Sequence, residues 1–338
     1  MLSEFSEALS GCEVGAPLLT IAIPAYNRPA LLREALASIA SQTLRIPFEV
    51  VVCDDLGSEE TRRVVERYPS GVYRYKANPE PMGAVGNWNQ CLASARGKWV
   101  MVLHEDDALY PWYFESVVPH LNAGSVAVST LTVRGSSVRH VRRPSGAPRV
   151  TDYPAHFFLK SAMTPFPGVL VRRDVALRLG GFDERWGPVA DYDFWYRLSC
   201  SGTIRQVRVA AAFYRVAPGQ WTESVWARML NLTHLLRLRI AAEQFPEDAR
   251  MARCIARFFT YRNALCYARR FAERPAALRR CLDFNRMAIS VLPSGWVWQA
   301  YKLLARALSR PSEPSLIRAS LGGGFARKAS GSFAATRV

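Results

Sequence analysis

Three acidic clusters hold most of the chemistry this sequence can offer. Asp106 and Asp107 follow the apolar stretch Trp99–Leu103, with His104 and Glu105 beside them. Carboxylates packed this closely repel, and a divalent cation with oxygen ligands is the usual remedy. The plainer alternative is that Asp107 caps a helix beginning near Ala108. Asp54 and Asp55 close a second apolar stretch. A carboxylate there can accept from a nucleobase edge or a ribose hydroxyl, or it can cap the next helix. The third cluster is Asp183-Glu184 followed by Asp191-Tyr192-Asp193, which opens a helical pattern through Phe194, Trp195 and Leu198. The dipole of a helix start favours an anion, so Asp191 is either a poised carboxylate or an N-cap.

Several chemistries are excluded. Pro24-Ala25-Tyr26-Asn27 stands where a GxGxxG loop would follow the first strand, and no GxxxxGK[ST] occurs. That argues against nicotinamide or flavin dehydrogenases and against P-loop NTPases. The cysteines are Cys12, Cys53, Cys91, Cys200, Cys254, Cys266 and Cys281, an odd number without a CxxC pair. Reduced thiols in a cytosolic protein are the simple reading, and zinc is not expected.

The elements that must position these clusters alternate. Apolar runs at 18–23, 48–53, 72–76 and 99–103 read as strands. Helices are predicted from Pro29, with Leu32, Ala35, Leu36 and Ile39 as the apolar stripe, over Glu59–Tyr68, and from about Gly86 to Arg96. Pro29 fits a first helical turn, where a missing N–H costs nothing. This alternation implies an α/β fold whose mostly parallel sheet is flanked by helices. In such sheets ligands sit beyond the carboxyl ends of the strands, where all three clusters fall. From Ser224 the period turns helical. Met251, Cys254, Ile255, Phe258 and Phe259 form one stripe, with Arg250, Arg253 and Arg257 on another face.

Charge divides the 338 residues sharply. Residues 1–204 carry 21 basic and 21 acidic side chains, whereas residues 205–338 carry 23 and 7, the whole net charge of +16. The basic third reads as a solvated helical surface, as a contact with an anionic membrane face or lipid diphosphate, or as a nucleic-acid surface. No RNA- or DNA-binding motif supports the last, and no nucleic-acid partner is expected. The stretch Ser290–Leu308 is broken by Pro293, Gly295, Lys302 and Arg306, so it is too interrupted to span a bilayer. Met1–Pro17 has no apolar run and does not read as a signal peptide. The expected organisation is an N-terminal extension (1–17), an α/β domain (18–222), a helical region (223–310) and a disordered tail (311–338).

Motifs in this order resemble the family 2 glycosyltransferases of the GT-A fold. The carriers are Ile23-Pro24-Ala25-Tyr26-Asn27-Arg28, Val51-Val52-Cys53-Asp54-Asp55, Asn87-Trp88-Asn89-Gln90-Cys91-Leu92 and Leu103-His104-Glu105-Asp106-Asp107. Gly168–Arg172, Gly180-Gly181-Phe182-Asp183-Glu184 and Ala190–Trp195 follow. The resemblance implies a Rossmann-like GT-A sheet, a nucleotide-diphosphate sugar donor (a UDP-sugar first), and Mn²⁺ or Mg²⁺. By the same resemblance Pro24, Ala25, Tyr26 and Asn27 line the nucleotide, Asp55 accepts from the base, and Asn89 helps hold it. Asp106 serves the ribose or phosphate, Asp107 the metal, and Asp191 is the catalytic base of an inverting transfer. Three positions depart from the family pattern: His104 or Glu105 where an acid is common, Ala190 for a Glu, and Ala217 for a late His. The function implied is sugar transfer to an acceptor hydroxyl in cell-surface polysaccharide or glycolipid synthesis, with a lipid-linked acceptor as one candidate. The place implied is the cytoplasm, with peripheral contact at the inner face of the plasma membrane. The rivals are a nucleotidyltransferase, and a catalytically weakened GT-A protein acting as a basic surface-binding module.

Overall fold

The computed structural model describes residues 16–143, 145–160, 162, 165–217 and 220–270. Four strands form a parallel block in the order β3-β2-β1-β4: β1 (Leu19–Ala25), β2 (Phe48–Asp54), β3 (Tyr73–Ala77) and β4 (Trp99–Val102). β1 and β2 are buried almost throughout, as apolar strands covered on both faces must be. Register aligns their ends. Ala25 faces Asp54, and Asp54 faces Ala77. Leu103 N extends the ladder of β4 onto the Ala22 carbonyl at 2.9 Å, which delivers His104–Asp107 to the same edge.

Three helices connect this block. α1 (Pro29–Ala40) has proline in its first turn and buries Leu32, Ala35, Leu36 and Ile39, the predicted stripe. α2 (Glu59–Val65) starts at Ser58, whose hydroxyl accepts from Thr61 N, and α3 (Gly83–Ser94) packs Val85, Trp88, Cys91 and Leu92 inward. The turn from α3 into β4 needs Gly97, because a Cβ there would lie 2.6 Å from the backbone of Leu19 and Thr20.

Beyond β4 the pairing becomes mixed. The later strands are β5 (Ala108–Leu109), β6 (Ser125–Gly135), β7 (Val150–Tyr153), β8 (Val169–Arg172) and β9 (Thr203–Arg215). β8 runs antiparallel to β4 and β6, β6 runs parallel to β9, and β5 and β7 pair antiparallel with β9. The sheet is therefore parallel in its first half and mixed in its second, where β8 inserts antiparallel between β4 and β6. Short helices α4 (Tyr113–Val117), α5 (Arg173–Arg178) and the longer α6 (Ala190–Ser201) complete this part.

The chain divides into two compact units, one reaching Ala155 and resuming over Ala162–Met229, the other made of His156–Ser161 and the chain from Leu230. The sheet lies in the first. The second takes the later part of α7 (Trp221–Gln244) and all of α8 (Ala249–Arg270). Among the α8 side chains described, the fully buried ones are Ala252, Ala256, Phe259 and Thr260, which share only Phe259 with the predicted stripe. A polar contact lies on that face: Thr260 Oγ1 meets His234 Nδ1 and accepts from Arg237 Nη1, both at 3.2 Å. Burial, with Arg257 and Arg237 nearby, pushes His234 down to about 4. Among the described residues no helix is long and apolar enough to cross a membrane. Most of the N-terminal extension, the helices expected past Arg270 and the 311–338 tail lie outside the described residues.

Candidate active site

The loop after β4 carries the chemistry, and a strand holds it. Ala108 and Leu109 pair with Phe213 and Ala212, so no helix begins at Ala108 and Asp107 is not a helix cap. This corrects the plainer reading of the Asp-Asp pair: the β5–β9 pairing takes the backbone that a helix would have used. Asp107 is only 1% exposed. Its Oδ1 accepts from Arg215 N at 2.9 Å, while Oδ2 is buried with no partner. Burial first, then the neighbouring Asp106 charge, holds its carboxyl well above the usual range.

Asp106 Oδ2 accepts from Arg28 Nη1 at 3.0 Å and from Gln220 Nε2 at 3.1 Å. Arg215 braces the loop from behind, donating to the Asp106 carbonyl at 2.7 Å, the Ser136 carbonyl at 2.9 Å and Glu34 at 2.6 Å. Glu105 accepts from Tyr26 N at 3.1 Å, and burial raises its carboxyl to about 7. The His104 ring stacks on Trp88 at 5.6 Å and leans on Phe166 at 4.5 Å, and its Nε2 is buried without a partner. One ring nitrogen of His104 and one carboxylate oxygen each of Asp106 and Asp107 lie within 4.8 Å of one another. Two orphaned acceptor atoms at one corner, with this donor set, fit a divalent cation.

The end of β2 is built differently. Asp54 accepts from Leu56 N, Ser58 N and Tyr75 Oη at 2.7–3.1 Å, which makes it the turn-former before α2. Asp55 accepts from Asn78 Nδ2 and Met82 N through Oδ1, both at 2.8 Å, and from Gly83 N through Oδ2 at 3.0 Å. Asn87, two residues before Asn89, reaches the Cys53 carbonyl at 3.1 Å and accepts from Asn78 at 3.0 Å.

Asp191 is the second residue of α6, whose N-cap position is Val189, so it is not the cap. Its Oδ1 accepts from Tyr192 N at 2.8 Å, and burial raises its carboxyl to about 6. Asp193 is engaged elsewhere: Arg197 Nε donates to it at 2.7 Å and ties it to the Leu179 and Gly181 carbonyls.

A cleft of about 650 Å³ joins these groups. Its lining includes Pro24, Ala25, Tyr26, Arg28, Asp55, Asn87 and Trp88, the loop residues His104, Glu105 and Asp106, and Pro165, Phe166, Pro188, Asp191, Tyr214, Gln220, Trp221 and Met229. Tyr26, part of this lining, is 57% exposed. Three expected residues are absent from the lining, the first being Asp107, which is buried next to Asp106. Asn27 is exposed with a left-handed φ of 57°, forming the turn into α1. Asn89 is corrected from nucleotide contact to scaffold: its amide exchanges two 2.8 Å bonds with the backbone of Phe182. That pairing needs Gly181, where φ is +67° and a Cβ would come 2.4 Å from Asn89 Oδ1.

Residues 20–179 match the family model described as glycosyl transferase family 2. The chain carries a family 2 glycosyltransferase domain. It is 27% identical over 190 residues to an uncharacterized glycosyltransferase of Haemophilus influenzae, covering 54% of this chain and 62% of that protein. Over a shorter stretch of 111 residues it is 32% identical to GalNAc(5)-diNAcBac-PP-undecaprenol beta-1,3-glucosyltransferase of Campylobacter jejuni, covering 32% and 36%. The first five curated relatives are spanned over 62–79% of their length. Among solved structures, Staphylococcus aureus TarS 1–349 in complex with UDP-GlcNAc superposes with a TM-score of 0.57 at 18% identity, over 80% and 81% of the two chains. A Pyrobaculum calidifontis mannosyltransferase in complex with GDP-Man and Mn²⁺ gives 0.52 at 18%, over 92% and 88%. These likenesses establish the GT-A fold. The family 2 domain is that of a nucleotide-sugar glycosyltransferase, and the nucleotidyltransferase reading is not favoured.

Four residues in or behind the family 2 domain's cleft are not marked as such by sequence: Arg28, Arg215, Gln220 and Trp221. Arg28 belongs to the Ile23–Arg28 motif, so its place is visible there but its partner is not. Arg215 lies in the Tyr214–Ala217 segment, which stands out only for a missing His. Gln220 and Trp221 carry no local signal, because only the return of β9 beside β5 brings them to Asp106.

Proposed function

We propose that this glycosyltransferase moves a sugar from a nucleoside diphosphate, UDP first, to an acceptor hydroxyl with inversion at the anomeric carbon. The observation that carries this is Asp191: a carboxylate raised to about 6 shares one cleft with the Asp106–Asp107 corner. An acceptor hydroxyl has a pKa far above 7, so a positioned carboxylate must take its proton as the new bond forms. Asp191 does this from the first turn of α6. A covalent route wants a second carboxylate close on the opposite sugar face. Asp193, the nearest in sequence, is bound to Arg197, which supports a single displacement.

On the donor side, Tyr26 offers a ring face for the base. Asp55 keeps lone pairs for a base or ribose donor while holding the start of α3. Asp106 faces the ribose or phosphates, with Arg28 beside it. Asp107 and Asp106 are the carboxylates that would hold Mn²⁺ or Mg²⁺, which neutralises charge developing on the leaving diphosphate. The apolar part of the lining, with Pro165, Phe166, Pro188 and Trp221, receives the acceptor. A lipid-diphosphate-linked glycan at the cytoplasmic face of the membrane is the acceptor class we favour. The Campylobacter relative's substrate and the basic last third support it. We assign the transferase to residues 18–222 and membrane proximity to the basic region 223–310.

The test is donor turnover without acceptor. UDP- and GDP-sugars are incubated with the full chain and Mn²⁺, and nucleoside diphosphate release is followed. Slow UDP release from a UDP-sugar is expected, with the inverted anomer of the sugar by NMR. Release of the retained anomer, or preferential turnover of GDP-sugars, contradicts the reading.

A further inference from the structure

The imidazole in the acidic corner decides which ion that corner selects. We propose that His104 supplies a nitrogen ligand to the cation held by Asp106 and Asp107, and that this turns the site from Mg²⁺ towards Mn²⁺ and later first-row ions. The inference rests on the metal reading made above, and goes beyond it in ligand set and ion preference.

Three observations carry it. First, a His104 ring nitrogen lies within the same 4.8 Å cluster as the carboxylate oxygens. Second, the carboxylates are partly engaged: Asp106 Oδ2 takes Arg28 and Gln220, and Asp107 Oδ1 takes the backbone of Arg215. That leaves Asp107 Oδ2, buried and unpartnered, together with an unpartnered His104 Nε2. Buried polar atoms are almost always satisfied, so two orphans in one four-residue loop point to a missing partner. Third, the ring is held by its faces, against Trp88 at 5.6 Å and Phe166 at 4.5 Å. Such packing fixes a ligand's direction before an ion arrives.

The consequence for selectivity follows from ligand chemistry. Mg²⁺ demands near-octahedral oxygen ligands and dehydrates reluctantly. An imidazole suits first-row transition ions, whose affinity for mixed N/O sites rises along the series from Mn²⁺. One nitrogen with two half-engaged carboxylates is thus a poorer magnesium site than an all-oxygen corner. His104→Asp would restore oxygen at that place.

The test uses the full chain with metal alone. Free Mn²⁺ is quantified by EPR during titration, and Mg²⁺ by its competition, for the wild type, His104→Asp and His104→Gln. The preference for Mn²⁺ over Mg²⁺ should fall at least about tenfold, ~1.4 kcal/mol, in His104→Asp. Pulsed EPR of bound Mn²⁺ should show coupling to a single ¹⁴N, which disappears when histidine is labelled with ¹⁵N and is absent in the variants. Bound Mn²⁺ without nitrogen coupling overturns this inference and leaves Asp106 and Asp107 as ligands. Failure of the wild type to bind Mn²⁺ overturns the metal reading itself. The wild-type spectrum decides even if a variant fails to fold.

Discussion

The same dipeptide, Asp-Asp, ends two strands of one sheet and does opposite things. At the end of β2, every oxygen of Asp54 and Asp55 has a donor, most of them backbone N–H groups. At the end of β4, Asp107 keeps one oxygen buried and unanswered, and its carboxyl is pushed well above the usual range. The first pair builds a rim. The second is held in an unfavourable state by its surroundings, which is how a site stores affinity for a cation. The difference comes from what surrounds each loop. After β2 a turn folds its own N–H groups onto Asp54, and Asn78 and Met82 of the loop before α3, with Gly83 at its start, donate to Asp55. After β4 the β5–β9 pairing gives Asp107 only the Arg215 N–H.

The largest expected effect separates Asp191 from every other acid. Asp191→Asn should lower turnover by ~10²–10⁴-fold with donor binding retained, since the amide cannot take the acceptor proton. Its pH behaviour has a definite sign. A carboxyl raised to about 6 in the folded protein contributes stability that is present below its ordinary pKa and lost as pH rises through about 6. The asparagine variant should therefore match the wild type near pH 4 and melt higher at pH 8, by on the order of 1–2 kcal/mol. The kcat of the wild type should rise with pH through the same region. Near-normal turnover of the variant with acceptor present would remove Asp191 from the mechanism.

The rim predicts the reverse kind of result. Asp54→Ala leaves Leu56 N, Ser58 N and Tyr75 Oη without their acceptor and should cost on the order of 3 kcal/mol, measured by chemical denaturation. A change below about half a kcal/mol would mean the two Asp pairs are not different in kind.

The smallest effect concerns the basic third. Exposed Arg near an anionic leaflet contributes about 1 kcal/mol each, decaying within a Debye length of ~8 Å. The full chain should sediment with anionic vesicles at low salt and be released at high salt. Equal binding to neutral vesicles, or none at low salt, leaves the basic third as a solvated surface.

Much of this architecture is legible in the sequence alone. The parallel block, the α1 stripe and the placing of Asp55 and Asp106 on one edge follow from apolar runs ending in acids, whereas the places of Pro24, Tyr26 and Asp191 follow from the family resemblance. The role of Asn89 is not legible, because its partner, the backbone of Phe182, is 93 residues away. The Asp107 cap fails for the same reason: nothing near Ala108 announces a strand whose partner lies at Ala212 and Phe213. Local pattern reports what an element is; it does not report which distant backbone claims a side chain.

On this view the β4 corner is an acid pair kept short of partners for a cation. Thermal melting of the wild type and Asp107→Asn, with and without Mn²⁺ plus UDP, tests it most directly. Ligand at 100 times its Kd should stabilise the wild type by ~2.7 kcal/mol. Asp107→Asn should melt at or above the unliganded wild type and show no metal-dependent rise. A variant that keeps the full rise, or one that is destabilised without ligand as the Asp54 variant should be, contradicts that role for the corner.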